Sequence, residues 1–302
     1  MQIPIPSDPL EDMIRTLNLD AAQGARTTED IFIGPSQWMP HGRVFGGQVL
    51  AQSLVAAQRT MDATDGDDRT PHSMHGYFLR AGDINQPITF AVDRLRDGRS
   101  FSTRRVQAFQ SGQPIFSMIA SFQVHDPGLE HQDSMPLDVP APETLPSAAE
   151  IMGENPHPVA QYWAKARPFD LRHVGSPIYF DVDPDQRVPH QAVWLKALGA
   201  LPDDPALHRA ALAYVSDYTI LESIYRAHGI AWTHAGLKSA SLDHAMWFHR
   251  QPKVDEWLLY VQESPSAQGG RGLALGRIFS RDGKLLATVA QEGMVRVPEL
   301  RE

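Results

Sequence analysis

Apolar residues at Leu10, Met13, Ile14 and Leu17 recur at i, i+3, i+4 and i+7, the period of a helix with one buried stripe. The segment opens Asp8-Pro9-Leu10-Glu11, where Asp8 is placed to cap, Pro9 suits the first helical position and Glu11 suits a capping box. From Gln48 to Arg59 the pattern changes: Val49, Leu50, Ala51, Leu54, Val55, Ala56 and Ala57 cover most of the circumference. That predicts a helix buried on all sides, entered through Gly46-Gly47. The period then shifts to that of strands. Segments 73–80, 88–95, 101–110 and 115–124 are rich in aromatic and β-branched residues. Asp97-Gly98 and Ser111-Gly112 supply the positive φ of tight hairpins, so these strands are expected as antiparallel neighbours. A buried helix followed by an antiparallel meander is an α+β module.

Residues 126–158 break the pattern with Pro127, Pro136, Pro140, Pro142, Pro146, Pro156 and Pro158, and read as a linker. Beyond it the first pattern returns. One helical stretch is predicted over 205–228, running through Asp217, and strands over 239–249, 256–263, 273–280 and 285–295, with a hairpin at Asp282-Gly283. Matching features keep a nearly constant offset: Gly46 to Asp217 is 171, Ser73 to Ser241 is 168 and Gly112 to Gly283 is 171. Constant spacing argues for an internal duplication. The expected organisation is a module over 1–125, a linker over 126–158 and a second module over 159–302, packed as a pseudo-dimer.

Composition narrows the chemistry. At 302 residues, 42% hydrophobic and 21% charged, the chain is globular and long enough for two domains. A net charge of -9 gives no overall positive field for nucleic acid or an anionic membrane. With no cysteine there is no disulfide, thiolate metal site or Cys nucleophile. No apolar run approaches the roughly 18 residues of a membrane span, so a cytoplasmic protein is expected. Gly270-Arg271-Gly272 with Gly276 opens a strand instead of joining a strand to a helix, which argues against a dinucleotide site. His72 and His75 should face opposite sides of a strand, so no metal is expected there. Common hydrolase, phosphate-loop and metalloprotease motifs are absent.

Six segments then carry a specific likeness. Arg43 to Gln52, His75 to Arg80 and Arg96 to Arg105 in the first half closely resemble the acyl-CoA thioesterase II (TesB-type) family. Tyr214 to Tyr218, Leu242 to Arg250 and Gln291-Glu292-Gly293 match it in the second half, in the same order. The resemblance spans about residues 8–296, apart from the linker. It implies a double hot-dog fold, two tandem modules each wrapping an antiparallel sheet around a long helix. It also implies hydrolysis of acyl-CoA to fatty acid and CoA without metal or organic cofactor, by an oligomeric enzyme, a dimer or tetramer. The family's water-activating Asp, Thr or Ser, and Gln correspond to Asp217, Ser241 and Gln291.

Those residue types suit the reaction. A thioester carbonyl is electrophilic and a thiolate leaves readily, so an oriented water suffices. Asp217 can serve as general base, with Ser241 and Gln291 fixing the water. Subtracting the repeat offset lands near Gly47, Pro71 and Ser121, none of them a base, so chemistry is expected in the second half alone. Gly46 and Gly47 offer backbone N–H groups for an oxyanion. Arg43, Arg99, Arg104, Arg105 and Arg250 are candidates for the CoA phosphates. Asp243 and His244 look like an acid–base pair, but adjacent strand residues face opposite ways, so that segment reads as structural or pocket-lining. Two other readings stay open: a non-catalytic acyl-CoA binding module, and a hot-dog hydratase, which would need an Asp and a His together at a helix entry.

Overall fold

The computed structural model describes residues 4–21, 29–61 and 69–298. The first half runs through α1 (Pro9–Leu17), β1 (Asp20–Ala21), β2 (Asp30–Gly34), α2 (Gly46–Gln58), β3 (Thr70–Phe78), β4 (Ile88–Asp97), β5 (Phe101–Gln110) and β6 (Gln113–Gln123). Then come α3 (Ala148–Gly153), α4 (Pro158–Ala166), β7 (Phe169–His173), β8 (His190–Ala197), α5 (Pro205–Ser216) and α6 (Glu222–Ala227). The chain closes with β9 (Lys238–Ser241), β10 (Asp243–Phe248), β11 (Leu258–Gln268), β12 (Arg271–Ser280) and β13 (Leu285–Arg296). Asp8 caps α1 as predicted, its carboxylate accepting from the amides of Leu10 and Glu11.

The strands join one antiparallel sheet in the order β1-β2-β4-β5-β6-β3-β10-β13-β12-β11-β8-β7, with β9 on β13. Read outward from β3 and β10, β6-β5-β4-β2 mirrors β13-β12-β11-β8, the duplication written in topology. The seam is a direct ladder in which Met74 pairs with Met246 and His75 with Ala245. α2 lies against β3–β6 and along α5, the two helices sharing one hydrophobic core with both half-sheets. This is the double hot-dog. Its cohesion is apolar: Phe90, Phe116 and Phe122 are fully buried, each worth about 1.5–3 kcal/mol. An exposed ion pair such as Arg94–Asp30 adds only ~0.2–1 kcal/mol.

Five features depart from the sequence reading, the first being the β4–β5 hairpin, where neither Asp97 nor Gly98 takes the expected positive φ. The helix expected over 205–228 stops at Ser216, passes through turns closed by Tyr218 N–H to Val215 O and Glu222 N–H to Thr219 O, and restarts as α6. No Gly or Pro marks the break. Tertiary bonds force it, since the buried Thr219 hydroxyl accepts from Gln262 Nε2 at 2.7 Å. The strand expected over 239–249 is also split. Ser241 pairs with Gly293 but Ala245 with Ala290, so the chain takes one extra residue across this bulge.

Residues 126–158 are strapped to the second half. Met135, Val139 and Leu145 pack on Trp194, Leu259, Phe279 and Leu285, while Trp194 Nε1 donates to Pro140 O at 2.9 Å. The strap ends in α3, whose capping box joins Ser147 to Glu150. Finally, a bulge between Pro71 and Ser73 turns His72 to the side of Ser121, 2.8 Å away. Ser121 shares a face of β6 with Ile119, the partner of His75, so these two histidines are not on opposite faces as strict alternation predicts. Among the described residues no cluster of three or more potential ligands could hold a metal.

Candidate active site

The break after α5 creates the site. Asp217 caps that helix at φ -86° and ψ -7°, which directs its carboxylate toward the first turn of α2. A Cβ on Gly46 would lie 2.6 Å from Asp217 Oδ2, and one on Gly47 would lie 2.2 Å from the Tyr214 carbonyl oxygen. Both glycines are therefore required by close approach of the two helices. The Gly47 amide lies near enough to the Asp217 carboxylate to favour its ionised form.

Ser241 arrives from the end of β9 and Gln291 from the middle of β13. Ser241 Oγ donates to Asp217 Oδ1 at 3.1 Å, and Gln291 Nε2 donates to the same oxygen at 2.8 Å and to Ser241 Oγ at 2.9 Å. The three residues named from the sequence thus converge. Their roles divide, however: Asp217 and Ser241 open onto a large cavity, whereas Gln291 is fully buried and spends both amide hydrogens on the other two. Burial raises the Asp217 carboxyl to about 6, against the opposing pull of its bonds from Gln291 and Ser241 and of the nearby Gly47 amide.

Behind Gln291 stands His244, also buried. Its Nδ1 makes a short hydrogen bond with Gln291 Oε1, and its Nε2 lies 3.1 Å from Ser216 Oγ. Burial lowers its pKa to about 4. Sequence alternation set this histidine aside. The bulge at Leu242 is what turns Ser241 and His244, an odd and an even position, toward one amide.

The cavity, about 1390 Å³, is lined by residues of both halves, including Phe45, Gly46 and Phe78 from the first and Asp217, Tyr218 and Ser241 from the second. It exceeds the roughly 300–1,000 Å³ of ordinary small-molecule pockets. Exposed Arg43, Arg80 and Lys238 stand along it. Deeper, the Arg167 guanidinium packs over Trp163 at 4.7 Å and Tyr218 at 5.1 Å. The arginines singled out from the sequence lie elsewhere, apart from Arg43. Arg99 is in the β4–β5 hairpin, Arg105 pairs with Asp93, Arg250 donates to Leu285 O, and buried Arg104 is spent on Thr60 and Asp97. Arg80 closes a motif already visible in the sequence. Lys238, Arg167 and Trp163 carried no signal, because the segments bearing them contact the cavity only through tertiary folding.

The chain is similar to known proteins over most of its length. Residues 173–294 match the acyl-CoA thioesterase family model, and residues 34–123 match the acyl-CoA thioesterase N-terminal domain. Acyl-CoA thioesterase 2 of Haemophilus influenzae is 38% identical over 97% of this chain and 100% of its own. The chain belongs to the acyl-CoA thioesterase family. Among solved structures, the acyl-CoA thioesterase II TesB2 of Mycobacterium marinum superposes with a TM-score of 0.74 at 41% identity, over 96% of this chain and 99% of that one. A hot-dog protein of Alicyclobacillus acidocaldarius, at 20% identity and a TM-score of 0.75 over 95% of this chain and 98% of its own, shares the fold. Among the described residues of this thioesterase-family chain, no helix is long and apolar enough to cross a membrane.

Proposed function

We propose that this chain hydrolyses acyl-CoA thioesters by direct attack of water, with Asp217 as general base. One observation carries the reading: a desolvated carboxylate in the wall of a large cavity, its orientation set by Ser241 and Gln291. Water bound between Asp217 and Ser241 gives a proton to the carboxylate as its oxygen bonds to the thioester carbon. The carbonyl becomes a tetrahedral oxyanion, for which the first turn of α2, led by Gly46, is the nearest source of backbone N–H donors. Collapse breaks the C–S bond, the departing CoA sulfur takes the proton from Asp217 and so restores the base, and a free carboxylic acid remains. Gln291 contributes from behind by holding base and hydroxyl together. Arg43, Arg80 and Lys238 offer positive charge to the CoA phosphates at the rim.

Thiol release from a series of acyl-CoA substrates tests this directly, since a chain without cysteine contributes no background. Turnover is expected, with kcat/KM rising as pH climbs through about 6 and level above it, because only the ionised Asp217 accepts a proton. Tight binding of acyl-CoA with no thiol release at any chain length would favour the binding-module reading instead. We also expect a homo-oligomer, to be counted by light scattering. The outer sheet face at the seam leaves Tyr77 and Ile119 exposed beside His75, whereas the strap covers the corresponding face of the second half.

A further inference from the structure

We infer that His244 is the positioning residue of this site: its Nδ1–H, held by a closed ring of hydrogen bonds, decides which way the Gln291 amide faces. The inference rests on the thioesterase reading above and assigns a part to a residue that touches no substrate. The ring is read from distances. Ser216 and Asp217 are consecutive at the end of α5. Ser216 Oγ meets His244 Nε2 at 3.1 Å, His244 Nδ1 meets Gln291 Oε1, and Gln291 Nε2 meets Asp217 Oδ1 at 2.8 Å. The loop therefore leaves the helix end through one residue and returns to it through the next.

Proton counting fixes the direction. A glutamine amide turned by half a rotation would present Oε1 to Asp217 Oδ1 and Nε2 to the imidazole, with almost the same shape. Against an ionised carboxylate 2.8 Å away, that arrangement sets oxygen against oxygen with no hydrogen between them, and Ser241 loses the bond it accepts from Nε2. The imidazole, neutral by burial, has a single N–H. Gln291 Oε1 can only accept, so the proton belongs on Nδ1; Ser216 Oγ, which also lies 2.9 Å from Ala213 O, then gives its one hydrogen to that carbonyl or to Nε2. With that tautomer the amide hydrogens point to Asp217 and Ser241. With the other tautomer they point away.

The bulge between β9 and β10 supports a built device. Without the extra residue, Ser241 and His244 would occupy opposite faces and could not both reach Gln291. Asp243 secures the bulge by accepting from the Glu292 amide at 2.6 Å.

The test compares two substitutions. Asparagine carries its amide nitrogen the same number of bonds from Cα as histidine Nδ1, so His244→Asn keeps the donor. His244→Phe keeps the ring and removes it. The phenylalanine variant should lose about 10- to 100-fold in kcat with KM within ~2-fold, and the asparagine variant should return to within ~5-fold of wild type. Wild-type kcat in His244→Phe, or equal losses in both variants at wild-type Tm, would overturn the assignment. ¹⁵N spectra of histidine-labelled wild type need no variant: a protonated Nδ1 on His244 between pH 6 and 8 is expected, and a protonated Nε2 sinks the idea. Asp217→Asn assayed alongside separates the two levels. A wild type without turnover refutes the thioesterase reading, while the spectra still decide the tautomer.

Discussion

Asp217→Asn should lower kcat on acyl-CoA by roughly 10²- to 10⁴-fold, the range expected for loss of a general base, with KM little changed. Asparagine has the size of aspartate, and its Oδ1 still accepts from Ser241 and Gln291, so cavity and substrate contacts persist. The same change should not cost stability. Burial holds the folded carboxyl at about 6, above its ordinary value of 3.8, so between those two values the folded state binds more protons than the unfolded one. Wild-type stability from this group therefore falls as pH rises from 3.8 through about 6, and the ionised carboxylate is a standing cost above that window. Calorimetry should find the Tm of Asp217→Asn at or above wild type at pH 8, with the advantage shrinking toward pH 4. A variant that melts well below wild type at pH 8 would show that the carboxylate stabilises the fold, contrary to this account.

Gly47→Ala should damage both fold and activity. Its new Cβ would sit 2.2 Å from the Tyr214 carbonyl oxygen and 2.5 Å from Phe45 Cε1. Neither obstacle is the loose end of a flexible chain: one is the backbone of α5, the other a ring stacked on Tyr218 at 4.8 Å. α2 and α5 must part, at about 1–3 kcal/mol for overpacking. Parting them draws the Gly47 N–H off Asp217, and a misplacement near 1 Å in such a site costs about 10²-fold in rate. Tm and kcat/KM should fall together. If kcat/KM survives in a folded variant, the first turn of α2 contributes neither to holding the base nor to meeting the oxyanion.

The comparison of sequence and structure divides by range of interaction. Local signals carried the element pattern: Asp8 caps α1, and Ser111 and Gly112 take positive φ in the hairpin where their residue types placed it. The constant offset of the two halves foretold the mirrored sheet. What failed depended on contacts between distant segments. The break after Ser216 has no helix-breaking residue of its own, because Thr219 and its partners Gln191 and Gln262 enforce it from β8 and β11. His244 lost its role to a bulge that no residue type announces. The strap carries its apolar side chains singly among prolines, without period, so its packing on Trp194 left no pattern to read. Asp217, Ser241 and Gln291 were named through family likeness, and spacing along the chain could not have united them.

The ladder between β3 and β10 fastens the glycines of one half to the carboxylate of the other within a single polypeptide. A site shared between separate chains comes apart as they are diluted. Here each half meets its complement at the effective concentration of a tether, about millimolar for short connections, whatever the amount of protein present. The first copy of the module has become a permanent cosubunit, its glycines packed against its twin's carboxylate and helix.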